Sequence, residues 1–286
     1  MIIFRIKELG YRILGRIRQN LVMNIISTKN LKLNIGKKEI LHGLDVEIPK
    51  GKITVILGPN GCGKSTTLKA LCRLLKYSGS VQFAGQEVAD LDGHEFAKRV
   101  AILAQNPSAP DDLTVLDLVK MGRFPHRNKW GSGTKDDEKI VAWALEQTNM
   151  TAMQERVLNT LSGGERQRAW IAMALAQKPE VLFLDEPTSY LDICHQLEVI
   201  NLVKDLNKTL GLTIVMVLHD ITQALSCGDN FIIIKDGSLV ATGDGSIVDT
   251  NLLRQVFNVD VDEFNCRNGE RALVPVQLSE GVMSNG

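Results

Sequence analysis

Neither sign of charge is in excess in this chain: 33 Lys and Arg stand against 33 Asp and Glu, a formal net charge of zero. That balance gives no general argument for a nucleic-acid partner, and none is expected. Cysteine is sparse and dispersed. Cys62, Cys72, Cys194, Cys227 and Cys266 form no C-x-x-C. An odd, scattered set argues against a disulfide framework or a zinc site and reads as reduced thiols in the cytosol. Long apolar runs are missing too. Nothing approaches the roughly 20 residues needed to span a bilayer. The longest candidates, 213–218 and 231–234, read as buried strands. Residues 1–24 lack the uninterrupted apolar region and small-residue cleavage site of a secretory signal. A soluble chain is expected, with any membrane role acting through partners. There is no internal repeat and no low-complexity segment. What remains is 286 residues, 44% hydrophobic, enough for one large domain or two small ones.

The most informative stretch is Gly58-Pro59-Asn60-Gly61-Cys62-Gly63-Lys64-Ser65-Thr66. It follows the apolar run Ile53–Leu57 and leads into the apolar-periodic segment 67–75. Strand, glycine loop and helix are the setting a phosphate-binding loop requires. Glycines let consecutive backbone N–H groups surround an anion, and the helix N-terminus adds partial positive charge. Lys64 is placed to reach the β- and γ-phosphates, and Ser65 to ligate Mg²⁺. Cys62 reads as a small filler within the loop, where a thiol reagent would block the site.

Residues 1–23 carry Arg5, Lys7, Arg12, Arg16 and Arg18 against Glu8 alone, with Ile and Leu at roughly helical spacing. This is a basic amphipathic helix for a membrane surface, an untethered extension, or an upstream start with initiation at Met23. The stretch 25–47 reads as strands, and 49–52 as a turn. A short strand at 78–85 and a buried strand at 100–104 follow, with Gln105 at the end of the latter. The segments 114–121, 136–147 and 166–177 are helical in pattern, and 123–133 is loop-like. The apolar strand 181–184, a helix over 193–210 and a strand over 212–218 come next. Asp236-Gly237 joins two strands as a hairpin.

Two further motifs carry chemistry. Asp185 and Glu186 emerge from the apolar strand 181–184. Such a pair suits divided labour: Asp185 holding Mg²⁺, and Glu186 polarising a water aimed at the γ-phosphate. Leu161-Ser162-Gly163-Gly164-Glu165 precedes a helix. Ser162, the glycine amides and the helix N-terminus suit a second anion site. Taken singly, Ser162 and Glu165 are a capping box. Two anion sites in one chain need two ligands, or one ligand shared between two copies.

Together these motifs resemble an ATP-binding cassette (ABC) ATPase subunit over about residues 25–243. Residues 58–66 match its phosphate loop, 161–165 its signature sequence, and 181–186 its magnesium strand and catalytic glutamate. Gln105 matches the glutamine that senses Mg²⁺ and faces the transporter, 189–192 the segment crossing the dimer interface, and His219 the histidine on the γ-phosphate. The resemblance implies ATP and Mg²⁺ as ligands, with Ser65, Gln105 and Asp185 around the metal. Lys64, Gln105, Glu186 and His219 would be catalytic, and Asp192 would join the ATP site. It implies a head-to-tail dimer in which each ATP lies between one copy's phosphate loop and the other's Ser162, Gly163, Gly164 and Glu165. The implied fold is an α/β phosphate-loop NTPase core with an N-terminal antiparallel β subdomain and an inserted α-helical subdomain. Residues 24–245 form the ATPase domain, with 24–105 and 180–245 as core and 106–179 as the helical part; 246–286 are a C-terminal tail. One position departs from the pattern. Ile35 stands where the family stacks an aromatic residue on adenine, a loss on the order of 1 kcal/mol of stacking. Looser nucleotide affinity, or weaker preference for adenine over other bases, is expected, and nucleotide competition would show it.

A single cassette without fused membrane spans or long insertions fits a separate importer ATPase better than an exporter or a translation or repair factor. Residues 103–106, 113–115, 122–126, 162–174 and 191–196 are similar to ATPases of ferric-siderophore, haem and cobalamin importers. The resemblance implies an ATPase on the cytoplasmic face of the membrane that energises uptake of a ferric siderophore or similar iron chelate; the same machine importing cobalamin, haem or a metal ion is the alternative. Transmembrane permease subunits would hold it there, with a substrate-binding protein acting indirectly. A non-transport regulatory or repair ATPase is the alternative of another class. His126 and His195 lack partners at ligand spacing and read as surface or packing residues.

Overall fold

The computed structural model describes residues 23–127, 134–266, 269 and 271–279. Apart from Met23, the basic segment expected at 1–23 lies outside the described residues. So do 128–133 of the expected 123–133 loop.

In chain order the elements begin with β1 (Asn24–Ile35), β2 (Lys38–Leu44), β3 (Glu47–Pro49), β4 (Ile53–Leu57) and α1 (Lys64–Leu71). β5 (Ser78–Phe83), β6 (Gln86–Glu87), α2 (Gly93–Arg99) and β7 (Val100–Leu103) follow. Helices α3 (Val115–Met121), α4 (Lys135–Gln147) and α5 (Gly163–Ala176) separate β7 from β8 (Val181–Asp185). Then come α6 (Ile193–Leu210), β9 (Thr213–Val217), α7 (Ile221–Cys227), β10 (Asn230–Lys235) and β11 (Ser238–Gly243). α8 (Thr250–Phe257), β12 (Val259–Asn265) and β13 (Arg271–Leu278) complete the described chain.

The central sheet runs β11-β10-β4-β9-β8-β7 and is parallel except for the β11 edge. β4, β8 and β9 are buried at every position. That is why they read as unbroken apolar runs rather than alternations: both faces are covered. The two-residue side-chain period then sorts each strand between two cores. Val55, Leu57, Leu182, Leu184, Ile214 and Met216 join α3–α8 on one side. Ile56, Val181, Phe183, Val215 and Val217 join α1, α2 and the antiparallel sheet β2-β1-β5-β6 on the other.

Two local differences from the sequence expectation have plain causes. α5 starts at Gly163, not Arg166. Helix propensity disfavours Gly, but Ser162 and Glu165 form a reciprocal capping box that fixes the first turn. Within the expected 123–133 loop, Phe124–His126 is a 3-10 turn with Pro125 in its opening positions. The preceding Arg123 is buried and ties three helices together. Its Nε donates to Asp137 Oδ1 at 2.8 Å and its guanidinium to the Ala176 carbonyl at 2.7 Å. His126 Nε2 pairs with the Gln177 carbonyl at 2.7 Å, a packing role. After β11, α8 packs on β12, and β13 packs on α7. No described helix is long and apolar enough to cross a membrane.

Candidate active site

Parallel strands deliver their C-terminal ends to one edge of the sheet, where open α/β folds bind ligands. β4 ends at Leu57, so Gly58 opens the glycine loop there. β8 ends at Asp185, with Glu186 next; β7 and β9 stop two residues short of Gln105 and His219. Four segments far apart in sequence therefore meet.

The glycine loop is shaped by close packing. A Cβ on Gly58 would lie 2.0 Å from the Ile234 carbonyl oxygen and 2.7 Å from Cys62 Sγ. Gly63 has φ +105° and backs onto Leu41. Beneath the loop, the β10–β11 turn braces it, with Gly237 N–H donating to the Cys62 carbonyl at 3.0 Å. Cys62 is buried and its thiol is pushed up by that burial. Its burial fits the expected filler role and argues against the expected attack by thiol reagents, since the thiolate is the reactive form.

Lys64 is buried and donates to the carbonyls of Gly58 at 2.8 Å and Pro59 at 2.9 Å. Burial holds its ammonium below the usual lysine range. Ser65 Oγ donates to Asp185 Oδ1 at 2.7 Å, and burial pushes the Asp185 carboxyl up. A hydroxyl and a buried carboxylate beside a phosphate loop are hard oxygen donors, the set Mg²⁺ takes. The donor set fits that ion.

Glu186 carries three side-chain contacts. Oε2 accepts from Gln105 Nε2 at 2.5 Å and from Ser189 Oγ at 2.9 Å, while Oε1 meets His219 Nε2 at 2.5 Å. Glu186 itself has φ +52°, and Tyr190 has φ +64°. Both are left-handed positions that non-glycine residues seldom occupy.

The second glycine motif sits apart. Ser162 Oγ accepts from Glu165 N–H, and the Glu165 carboxylate accepts from Ser162 N–H at 2.8 Å, which holds that carboxyl below its usual range. A Cβ on Gly163 would meet Leu191 at 2.9 Å, and one on Gly164 would meet the His195 ring at 2.3 Å. Asp192 caps α6 through the His195 N–H and also holds the His195 ring, Oδ2 to Nδ1 at 2.8 Å. His195 is thus a packing residue. A cavity of about 320 Å³ lies between the start of α5 and the segments after β7 and β8, lined by Gln105, Ser189, Tyr190, Gly163, Arg166 and Trp170 among others. Ile35, at the end of β1, is 55% exposed. The family resemblance places Ser189 at the dimer interface and gives no sign of its contact with Glu186; the spacing of three allows that contact, and the left-handed turn at Glu186 makes it.

A sequence profile described as ABC transporter matches residues 41–189. The Bacillus subtilis iron(3+)-hydroxamate import ATP-binding protein FhuC is 46% identical over 84% of this chain and 90% of its own. The Escherichia coli ferric enterobactin transport ATP-binding protein FepC is 42% identical over 81% of this chain and 86% of its own. Among solved structures, a chain described as from an inward-facing, metal-chelate type ABC transporter superposes with a TM-score of 0.78. It is 27% identical, covering 89% of this chain and 98% of that one. A dimeric bacterial ABC transporter cassette gives 0.66 at 30% identity, covering 77% of this chain and 98% of that one.

Proposed function

The chain belongs to the ABC transporter ATP-binding family, and from that premise we propose that it powers uptake of a ferric siderophore or similar iron chelate through a separate permease. The cargo reading is supported by relatives named for iron(3+)-hydroxamate, petrobactin and ferric enterobactin. The hydrolytic reading is carried by one observation: Glu186 follows β8, on the same sheet edge as the glycine loop, with Gln105 and His219 on its carboxylate.

In this reading Lys64 and the amides of residues 58–66 stabilise phosphate charge. Ser65, Asp185 and Gln105 would hold Mg²⁺, which supplies charge neutralisation at the phosphates when bound. Glu186 polarises the attacking water and His219 holds the γ-phosphate. Ser162, Gly163, Gly164 and Glu165 complete the site on a second copy, and Asp192 belongs to the segment between them. Ile35 packs an aliphatic side chain against adenine. Two bound ATP close the dimer because each adds contacts made only across the closed interface. Hydrolysis removes that linkage. Gln105 and residues 106–179 carry the motion to the permease, which holds the chain at the cytoplasmic face of the membrane. A substrate-binding protein delivers cargo without touching this chain.

Glu186→Gln is expected to keep ATP binding, lose hydrolysis by at least about a hundred-fold and accumulate a closed dimer on size exclusion. Near-normal turnover would remove Glu186 from its role. For cargo, uptake of labelled ferric siderophores, haem and cobalamin is compared in cells carrying the chain or its Glu186→Gln form. Loss of one iron chelate alone supports the proposal. Loss of cobalamin alone keeps the machine and replaces the cargo. No change in any uptake overturns the transport reading.

A further inference from the structure

Glu186 is held by three groups, and two of them have other duties. In the reading above, which this inference rests on, Gln105 turns to the metal and His219 to the γ-phosphate. Each must then loosen its contact with the Glu186 carboxylate. The third contact is Ser189 Oγ to Glu186 Oε2 at 2.9 Å; that reading places Ser189 in the segment at the dimer interface and gives it no role at the metal or the γ-phosphate. Ser189 lies in the same tight turn as Glu186: its backbone N–H donates to the Glu186 carbonyl at 3.2 Å. The turn is bounded by the left-handed residues Glu186 and Tyr190. Left-handed backbone at two non-glycine residues within five is costly and persists only where surroundings over-determine it. Thr188 and Pro187 are buried and anchor the turn, while Tyr190 is 85% exposed.

We propose that Ser189 is the positioning residue for Glu186 during hydrolysis, fixing the carboxylate after Gln105 and His219 have turned to the nucleotide. A carboxylate on a free χ3 sweeps its oxygens through a wide arc, because that torsion is broad. One retained hydroxyl donor selects the orientation that leaves Oε1 for water. The demand is geometric, since displacement of about 1 Å in a reacting group can lower the rate a hundred-fold. Ser189 also lines the cavity beside Tyr190 and Gly163. The hydroxyl therefore sits between the general base and the exposed segment that faces a second copy.

The test uses the full chain and compares Ser189→Ala, Ser189→Thr and Glu186→Gln in steady-state ATP hydrolysis, with melting temperatures alongside. Ser189→Ala is expected to lower kcat about ten-fold while the KM for ATP stays within about two-fold. Ser189→Thr keeps the hydroxyl and is expected to restore kcat to within about three-fold of the parent. Added to Glu186→Gln, Ser189→Ala should lower the residual rate no further, because the group it positions is gone. Unchanged kcat in Ser189→Ala overturns the inference, as does an additive loss in the double variant. A fall in kcat tracked by a rise in KM and a lowered melting temperature overturns it too, because that is the behaviour of a turn-stabilising hydroxyl. If instead Glu186→Gln turns over normally, the failure belongs to the assignment of Glu186, whatever Ser189→Ala does.

Discussion

Gly164 shows how one missing Cβ joins two motifs. The His195 ring occupies the space where a Gly164 side chain would stand, its Cδ2 2.3 Å from the built Cβ position. The same ring is held by Asp192, whose carboxyl is kept below its usual range by the His195 backbone N–H and ring. The signature glycine and the cap of α6 are thus one packing unit. Gly164→Ala is expected to push the ring aside, weaken the cap and lower stability by about 1–2 kcal/mol. Urea denaturation measures this; an unchanged midpoint would show that the ring moves away freely. Sequence made Gly164 visible as a ligand amide and as a capping-box neighbour. It gave no sign of His195, because that contact spans two elements.

Among the elements, α3, α4 and α5 are joined by a buried charge. Arg123 ends the α3 turn, and Asp137 lies in the first turn of α4. The Ala176 carbonyl at the end of α5 accepts from the Arg123 guanidinium. The Thr134 backbone N–H, then the Arg123 guanidinium, hold the Asp137 carboxyl well down, at about 2. The sign follows from linkage. A carboxyl depressed in the folded state contributes stability above its unfolded value near 4, and that stability is lost as pH falls from about 4 toward 2. Asp137→Ala strips the partner from a buried guanidinium and is expected to destabilise by about 3 kcal/mol at pH 7. The same variant should flatten the stability loss between about pH 4 and 2. Chemical denaturation across that range checks both, and a wild-type slope retained in the variant would show that other carboxyls set it. The helices themselves were legible from apolar spacing at 114–121 and 136–147. The pair was not, because Arg123 fell in a stretch whose Pro, Gly and Asn content reads as loop.

At the scale of the molecule, one chain presents two glycine motifs, each at the start of a different helix. The glycine loop opens α1, which packs on β2, β8 and β9; the signature opens α5, which packs on α3, α4 and α6. The proposed dimer brings them together in trans. Mixing Lys64→Ala with Ser162→Arg chains tests this. Each variant alone has no intact composite site, whereas half of randomly mixed dimers contain one. ATP hydrolysis should return toward about a quarter of the parent rate. No recovery on mixing, with exchange shown by a size tag, would mean each site is completed within its own chain.

Strand, loop and helix around residues 53–75 were fixed by local sequence, because apolar runs, glycine freedom and helix caps act between near neighbours. The same holds for β8 with its two carboxylates, and for α6, whose bounds Ile193–Leu210 agree with the expected helix. These local rules also made the glycine loop and the carboxylate pair legible as motifs resembling the family whose profile matches residues 41–189. Tertiary structure alone decided what each group touches. Gln105, Glu186, Ser189 and His219 converge because β7, β8 and β9 lie side by side in parallel register. Cys62 is shielded because the β10–β11 turn closes beneath it. Such contacts depend on strand order and on the angle at which a turn leaves its strand. Neither is encoded in the spacing of residues along one segment.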